Sequence, residues 1–540
     1  MNVEAAHLMT SQSMSSRSVQ LNPLVYTIAS ALLILCFVPG AHCATTYYLD
    51  SIAGNDANSG TSPASAWKSL SKVNATTFHP GDSLLLKAGS VWDGQLWPKG
   101  SGSGDHPIRI GKYSTGPKPQ IRGQGTVEDA VLLKNQEFWE IEDLDISNAA
   151  PDYKSTHRGV HIALENFGEA HHVVLRRLTV HDVSGRDDVK HNGGIILTAA
   201  GETKRSRFID VLIEDNDIYH VDRNGISTWS DRWQRSMWYP SLQVVVRGNE
   251  LRDIGGDGIM IAVTDAALLE RNVVARANQR SEGYNIAIWT WSADNSVIQF
   301  NEAYETKGQR DGEGFDSDWN SRNTLIQYNY SHDNEGGFLL ICDDGSQRQV
   351  DNVGNIGTIV RYNISRNDRH RGIAISGPVR DTLIYNNTLF FGPNGATDAV
   401  LFTDWDGWSA NTSFLNNIFY AQAPALIGHA VSRASDGAHT SAPGLGDSRG
   451  NRFDANTYFG QISPAADSHA STADPLFLNL DSVAPGRESL HGVALKPDSP
   501  ARRSGLPVAE NGGIDFFSAP LKNCTPPDRG AVQSSPCGGP

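Results

Sequence analysis

Cysteine is scarce in this 540-residue chain, five in all, and none falls in a CxxC pair or a cluster with histidine. That scarcity excludes the common zinc-binding patterns. Positive charge is also in deficit: 45 Lys and Arg against 60 Asp and Glu leave a formal net charge of −15. Such a balance argues against nucleic acid as a partner and, more mildly, against anionic polymers. Long amphipathic helical stretches are missing, which argues against a helical architecture. The apolar run at 24–38 is too short for a confident membrane span. Its length suits the apolar part of a signal peptide, and small residues at Ala41 and Cys43 suit cleavage before Ala44. Residues 1–43 are therefore read as a signal peptide, with an uncleaved anchor as the alternative. The mature chain is expected to be secreted or periplasmic, with no stable membrane insertion. Without that segment Cys342, Cys524 and Cys537 remain. Cys524 and Cys537 flank a Pro- and Gly-rich tail and are expected to pair in an exported chain. Cys342 ends the run FLLIC, where strand alternation points it inward as a buried thiol.

What the chain does have is a recurring phrase: two or three aliphatic or aromatic residues, then Asn. It occurs at Asn216, Asn249, Asn272, Asn301, Asn329, Asn363, Asn386 and Asn416, at spacings of 23 to 34 residues. Between these lies a small residue followed by a short apolar strand, as in GIIL from Gly194, GIMI from Gly258, GFDS from Gly314 and GIAI from Gly372. An irregular period in the range of about 20–50 residues, built from short strands, is the pattern of a solenoid. The reading is all-β: a single-stranded right-handed parallel β-helix. Asn suits its turns because it tolerates the left-handed conformation and can bond along a stack. A hydrophobic content of 39% is enough for a narrow continuous core.

Residues 44–125 read as the N-terminal cap, with a short helix near residues 66–73 covering the open end. Residues 126–425 carry the coils, and 426–540 form a loop-rich closing segment. The opening YYLDSIAGNDANSGTSPASAWKSL, then PGDSLLLKAGSVWDGQL and HPIRIGKY, resembles the start of secreted right-handed β-helix proteins of the pectate-lyase-like superfamily. DPLF near Asp474, SPA at 499–501, GGIDFF and DRGAVQ are similar to that superfamily's closing segment. The resemblance spans nearly the whole mature chain and implies the fold. It leaves the reaction open among polysaccharide lyases, glycoside hydrolases, epimerases and tailspikes.

Side chains alternate in and out of a strand, and equivalent positions on successive coils stack about 4.8 Å apart. With the small residue as origin, the next position (Ile226, Ile259, Ile286, Phe315, Phe338, Ile373) reads as core. The outward positions then gather Asp316, Asp318 and Asp343 beside Trp229, Trp289, Trp291 and Trp405, with Asp231 on the same face. Two Asp on one strand face are unusual, because Asp is depleted in strands. Carboxyls two residues apart, about 6.5–7 Å at the backbone, can divide acid and nucleophile roles because mutual repulsion splits their pKa values. Exposed indoles can stack on sugar rings, although the loop 232–239 could instead cover Trp229. Asp316 and Asp318 could equally form a solvated ledge or a calcium site. Glu313 and Asp257, with Arg371 and Arg223, border the face as sugar-orienting groups or turn caps.

Three functions fit. The first is a glycoside hydrolase with Asp316, Asp318 and Asp343 as catalytic carboxyls, and Trp229, Asp231, Trp289, Trp291, Glu313, Arg371 and Trp405 as substrate contacts. It needs no cofactor, takes a poly- or oligosaccharide and is expected to be a monomer. The second is a polysaccharide lyase, whose usual Lys or Arg base is missing from the outward columns. Lys307, Arg310 or Arg371 would have to serve, with Glu313, Asp316 and Asp318 holding calcium. The third is a non-catalytic glycan-binding or adhesin-like solenoid.

Overall fold

The computed structural model describes residues 43–151, 155–308, 310–346, 351–394, 398–431, 441–521 and 526–534. The signal-peptide reading and the expected Cys524–Cys537 disulfide lie outside the described residues. Strand makes up 44% and helix 4%, which settles the all-β class. Each coil contributes three strands to three parallel ladders. One coil runs Glu169–Arg176, Thr179–Val183 and Gly193–Ala200, and the next, Arg207–Glu214, Asp217–Val221 and Asn224–Ser230, lies directly on it. Val173 faces Val211, Val180 faces Ile218 and Ile195 faces Ile226, all in parallel register. The fold is a right-handed parallel β-helix. Among the described residues, no helix is long and apolar enough to cross a membrane.

Alternation explains the core. Inward residues such as Ile195, Ile226, Ile259, Ile288, Phe315, Leu339, Ile373 and Val400 are fully buried and form one continuous cluster down the axis. Each fully buried aliphatic or aromatic side chain stabilises the fold by roughly 1.5–3 kcal/mol. At the N-terminal end the helix Leu70–Asn74, capped by Ser69 Oγ accepting from the Lys72 N–H at 3.2 Å, presses Leu70 and Val73 into that core. Coil stacking already begins ahead of it, where Thr46–Leu49 pairs with Ser83–Lys87, and continues to Thr457–Ile462. The closing segment then lies alongside the coils, where Phe477, Leu490, Val493 and Phe516 pack with Tyr330, Ile364 and Ile418.

The asparagine phrase becomes a buried ladder through Asn216, Asn249, Asn272, Asn301, Asn329, Asn363, Asn387, Asn417 and Asn456. Each main-chain N–H donates to the next Oδ1 at 2.9–3.1 Å. Each Nδ2 also donates to a main-chain carbonyl. Two corrections follow. Asn386 and Asn416 are not rungs: the rungs are their neighbours Asn387 and Asn417. Nor does the rung itself take the left-handed conformation. The residue before it does, with φ of 50–64° at Asp215, Gly248, Arg271, Phe300, Tyr328, Tyr362, Asn386 and Asn416. The rung's amide therefore closes a turn that its predecessor makes. Asn386 and Asn416 instead clasp the closing segment, through Nδ2 to Asp528 O at 2.8 Å and through Oδ1 from Leu506 N–H at 2.7 Å.

The register near the acidic strand also differs from the expected columns. Four successive strands define it: β1 (Ile288–Trp291), β2 (Glu313–Ser317), β3 (Gly337–Cys342) and β4 (Arg371–Ser376). Phe315 pairs with Ile288 and Leu339, so Ile288 rather than Ile286 fills the core, and Gly337 lies opposite Glu313 rather than Gly314. Glycine here marks close backbone approach, not a fixed column: a Cβ on Gly337 would lie 1.7 Å from Arg371 O. The shift of one residue turns Leu340 and Cys342 outward, correcting the inward placement of the Cys342 thiol.

Candidate active site

The corrected register brings two outward columns together. One runs Met260, Trp289, Asp316, Leu340 and Ala374, and the other continues from Ser317's neighbour Asp318 to Cys342 and Ser376. They form the wall of a cavity of about 230 Å³ lined by Lys190, Tyr284, Ile286, Trp289, Asp311, Asp316, Asp318, Trp319, Leu340, Cys342, Ser376 and Trp405. Met260, Ile286, Trp289, Leu340, Cys342 and Ala374 pack as an apolar cluster outside the main core. That apolar surround is what makes carboxyls there unusual.

Three carboxyls reach the cavity. Asp316 is 2% exposed, and its buried Oδ1 has no hydrogen-bond partner among the described residues. Burial, then repulsion from Asp318 and Asp311, holds its pKa well above the usual carboxylate range. Asp311, partly exposed just ahead of β2, is raised in the same way by burial and by Glu313. Asp318 is pushed up only to about 6: burial raises it, while Cys342, the Trp319 N–H and Lys190 lower it. Its Oδ1 accepts from Trp319 N–H at 2.7 Å and from Cys342 Sγ at 2.8 Å. The three carboxyls therefore differ in acidity, with Asp311 and Asp316 held well above the usual range and Asp318 at about 6. Such a difference in acidity is what a pair of acid and nucleophile requires.

Aromatic groups complete the cavity. Trp289 is 7% exposed, and its Nε1–H donates to Asp257 Oδ1 at 3.0 Å. Lys190 Nζ lies 4.7 Å from the Trp289 ring centre, and donates to Asp257 Oδ2 at 3.0 Å and Tyr284 O at 2.9 Å. Trp319 joins Trp291 at 5.3 Å and Trp233 at 5.5 Å between ring centres. Trp233 comes from the loop 232–239, which thus covers Trp291 and Trp319.

Several expected contacts lie elsewhere. Asp343 opens onto a neighbouring cavity with Asn352, Arg380 and Trp408, where Asn352 Nδ2 donates to its Oδ1 at 2.7 Å. Glu313 and Arg371 do not line the pocket: they form a fully buried ion pair of 2.8 Å. At the start of their strands they are inside the wall, where a charge is tolerated only when paired. Trp229 packs on His191 with ring centres 4.8 Å apart, and Asp231 accepts from the Gly201 N–H at 3.0 Å. Both residues precede the acidic coil by more than one turn and are absent from its cavity. Trp291 does not line it but packs behind it, against Trp319 and the apolar cluster of Trp289, Leu340 and Cys342. The sequence reading missed Asp311, Lys190, Tyr284, Trp319 and the outward Cys342. Asp311 carried a signal, since DGEGFDSD packs four acids into eight residues; Lys190, from a distant loop, carried none.

No known protein-family profile matches the chain. The chain is 29% identical over 567 aligned positions to lacto-N-biosidase of Bifidobacterium longum subsp. longum, covering 87% of this chain and 34% of that protein. The chain thus spans about a third of the length of that curated relative. Among solved structures, native GH136 lacto-N-biosidase from Eubacterium ramulus superposes with a TM-score of 0.53 at 25% identity, covering 65% of each chain. Its selenomethionine derivative gives 0.56 at 24% identity, covering 78% of this chain and 68% of that one.

Proposed function

We propose that this chain is a glycoside hydrolase acting on an oligosaccharide, with the activity named in its relatives, lacto-N-biosidase, as the first to test. One observation carries the reading: three carboxyls of split acidity share a cavity walled by Trp289, Trp319 and Trp405. Asp318, the most readily ionised, attacks the anomeric carbon. Asp311, protonated and reaching the cavity from its partly exposed edge, donates to the departing glycosidic oxygen. Asp316 stays at the nearly inaccessible floor, two residues before the nucleophile, where a neutral acid donates a hydrogen bond to a sugar hydroxyl. Water, deprotonated by Asp311, then cleaves the Asp318 ester. Oxygens of Asp316 and Asp318 approach within 4.8 Å. Two carboxyls that close resist ionising together, which favours a neutral Asp316 beside the charged nucleophile.

These steps use side chains alone. Elimination is disfavoured because Lys190, the cation lining the cavity, is held by Asp257 and Tyr284 O. Export, read from residues 24–38, would place the chain where glycans are met. The deciding experiment incubates purified chain with glycans bearing terminal lacto-N-biose and with a wider oligosaccharide panel, following new reducing ends and unsaturated-uronate absorbance. Reducing ends without ultraviolet absorbance support hydrolysis, and their absence from every substrate defeats it.

A further inference from the structure

The nucleophile assigned above has an unusual neighbour. Cys342 lies one coil beyond Asp318 in the same outward column, and its Sγ is 2.8 Å from Asp318 Oδ1. The thiol is 3% exposed and belongs to the apolar cluster with Trp289, Leu340 and Met260. Serine and threonine hold the next two places of that column, at Ser376 and Thr403, and hydrogen-bond to each other at 2.8 Å. A hydroxyl was thus available to this face, yet the position touching the carboxylate carries sulfur.

We propose that Cys342 is a positioning residue, whose thiol donates to Asp318 Oδ1 and so fixes Oδ2 as the attacking oxygen. The Trp319 N–H ends on the same Oδ1 at 2.7 Å, so two donors from different directions set the carboxylate plane. A thiol suits the task because it gives one hydrogen bond while behaving otherwise as an apolar group, leaving the wall dry. In a dry wall that single bond counts for more than it would in water. The titratable groups around Asp318 are Asp316 near the end of β2, Asp311 ahead of β2, Lys190 from the loop before Gly193–Ala200, Cys342 at the end of β3, and Asp343 just past β3, which acts on it by charge from the neighbouring cavity. Of these, Cys342 and Lys190 favour the ionised form, and Cys342 is the one that hydrogen-bonds to the carboxylate. Burial and the neighbouring Asp318 and Asp316 in turn push the thiol's own pKa well up, so it keeps its proton for donation.

The proposal rests on the hydrolase reading, and two arms keep their failures apart. The first measures kcat, KM and pH profile of Cys342→Ala and Cys342→Ser on a p-nitrophenyl glycoside panel. Loss of one charge-assisted donor predicts about a tenfold fall in kcat for Cys342→Ala, with KM little changed. The acidic limb of its profile should move to higher pH, and Cys342→Ser should restore both. The second arm needs no turnover. Cys342 is alkylated with iodoacetamide from pH 7 to 10 and its peptide quantified by mass spectrometry, in the wild type and in Asp318→Asn. Removing the accepting charge should speed Cys342 modification at least tenfold at pH 8. Equal rates in the two chains, or a Cys342→Ala pH profile superimposable on wild type, overturn the proposal. A panel without turnover defeats the hydrolase reading, while the alkylation arm still decides the contact.

Discussion

The indole N–H of Trp289 donates to Asp257 Oδ1 at 3.0 Å, so an aromatic wall of the cavity is aimed by a carboxylate that does not line it. Asp257 is fully buried and also receives Lys190 Nζ at 3.0 Å, the Ile286 N–H at 3.1 Å and Arg223 Nη1 at 3.4 Å. Asp257 thus orders the aromatic wall, the lining cation and the segment leading into β1. Asp257→Ala should destabilise the fold by about 2–4 kcal/mol, because it leaves the buried Trp289 and Ile286 N–H groups without their acceptor. Trp289→Phe, which keeps an aromatic ring but loses the N–H and the five-membered half of the indole, should cost less stability than Asp257→Ala and raise KM. Calorimetry and steady-state kinetics on the two variants separate the effects.

Leaving-group dependence distinguishes the three cavity carboxyls. Asp311→Asn should lose roughly 10²–10⁴-fold on a natural glycan but far less on a dinitrophenyl glycoside, whose aglycone needs no proton. Added azide should restore its second step. Asp318→Asn should be inactive on both substrates. Asp316→Asn should show no leaving-group dependence. If Asp316→Asn instead shows the azide-rescued pattern, the acid role passes to it.

The pH profile follows from Asp318. With its pKa about 6, the attacking carboxylate is lost as pH falls through that value. A log plot of kcat/KM should therefore drop with a slope of one below about pH 6. The alkaline limb belongs to the protonated acid, Asp311.

Stability runs the opposite way to activity. Asp316 has a folded pKa well above its unfolded value, so the unfolded state releases its proton first as pH rises. Folding stability then declines from about pH 4 upward, through the raised folded value. Asp316→Asn removes that penalty. It should raise the thermal midpoint at pH 7 by several degrees, with the gain vanishing near pH 4. A scan of melting temperature against pH on both chains checks the sign.

The ladder tests the scaffold. Asn329 is fully buried, donates to Ile298 O at 2.9 Å and to Asn363 Oδ1 at 3.0 Å, and accepts from the Asn301 N–H at 2.9 Å. Asn329→Ala leaves those partners unsatisfied and should cost about 2–4 kcal/mol, read from urea unfolding. Asn386→Ala spares the ladder and should loosen the closing segment, seen as faster proteolysis near Asp528.

The fold was legible because its cause repeats locally. Alternating Ile and Val with a polar rung every few tens of residues leaves a chain no other way to bury one face. The phrase misled by one residue at Asn386 and Asn416, where two successive asparagines offered equally good rungs and the left-handed turn ahead of the second decided between them. The site was half legible. Asp316 and Asp318 stood out because a strand rarely carries two Asp on one face. Asp343, Glu313, Arg371, Trp229 and Asp231 were drawn in by an alignment on glycine, and glycine proved to follow backbone crowding.

By itself the sequence determined the coil, its core face and the acidic strand, since each is written in residues a few places apart. Tertiary structure alone decided the register between coils, and with it the company of Asp318. Loop lengths and main-chain ladders set how one turn lies on the next, and neither leaves a mark in hydrophobic alternation. Lys190, Asp311, Cys342 and Trp405 therefore meet at one cavity although more than two hundred residues separate the first from the last.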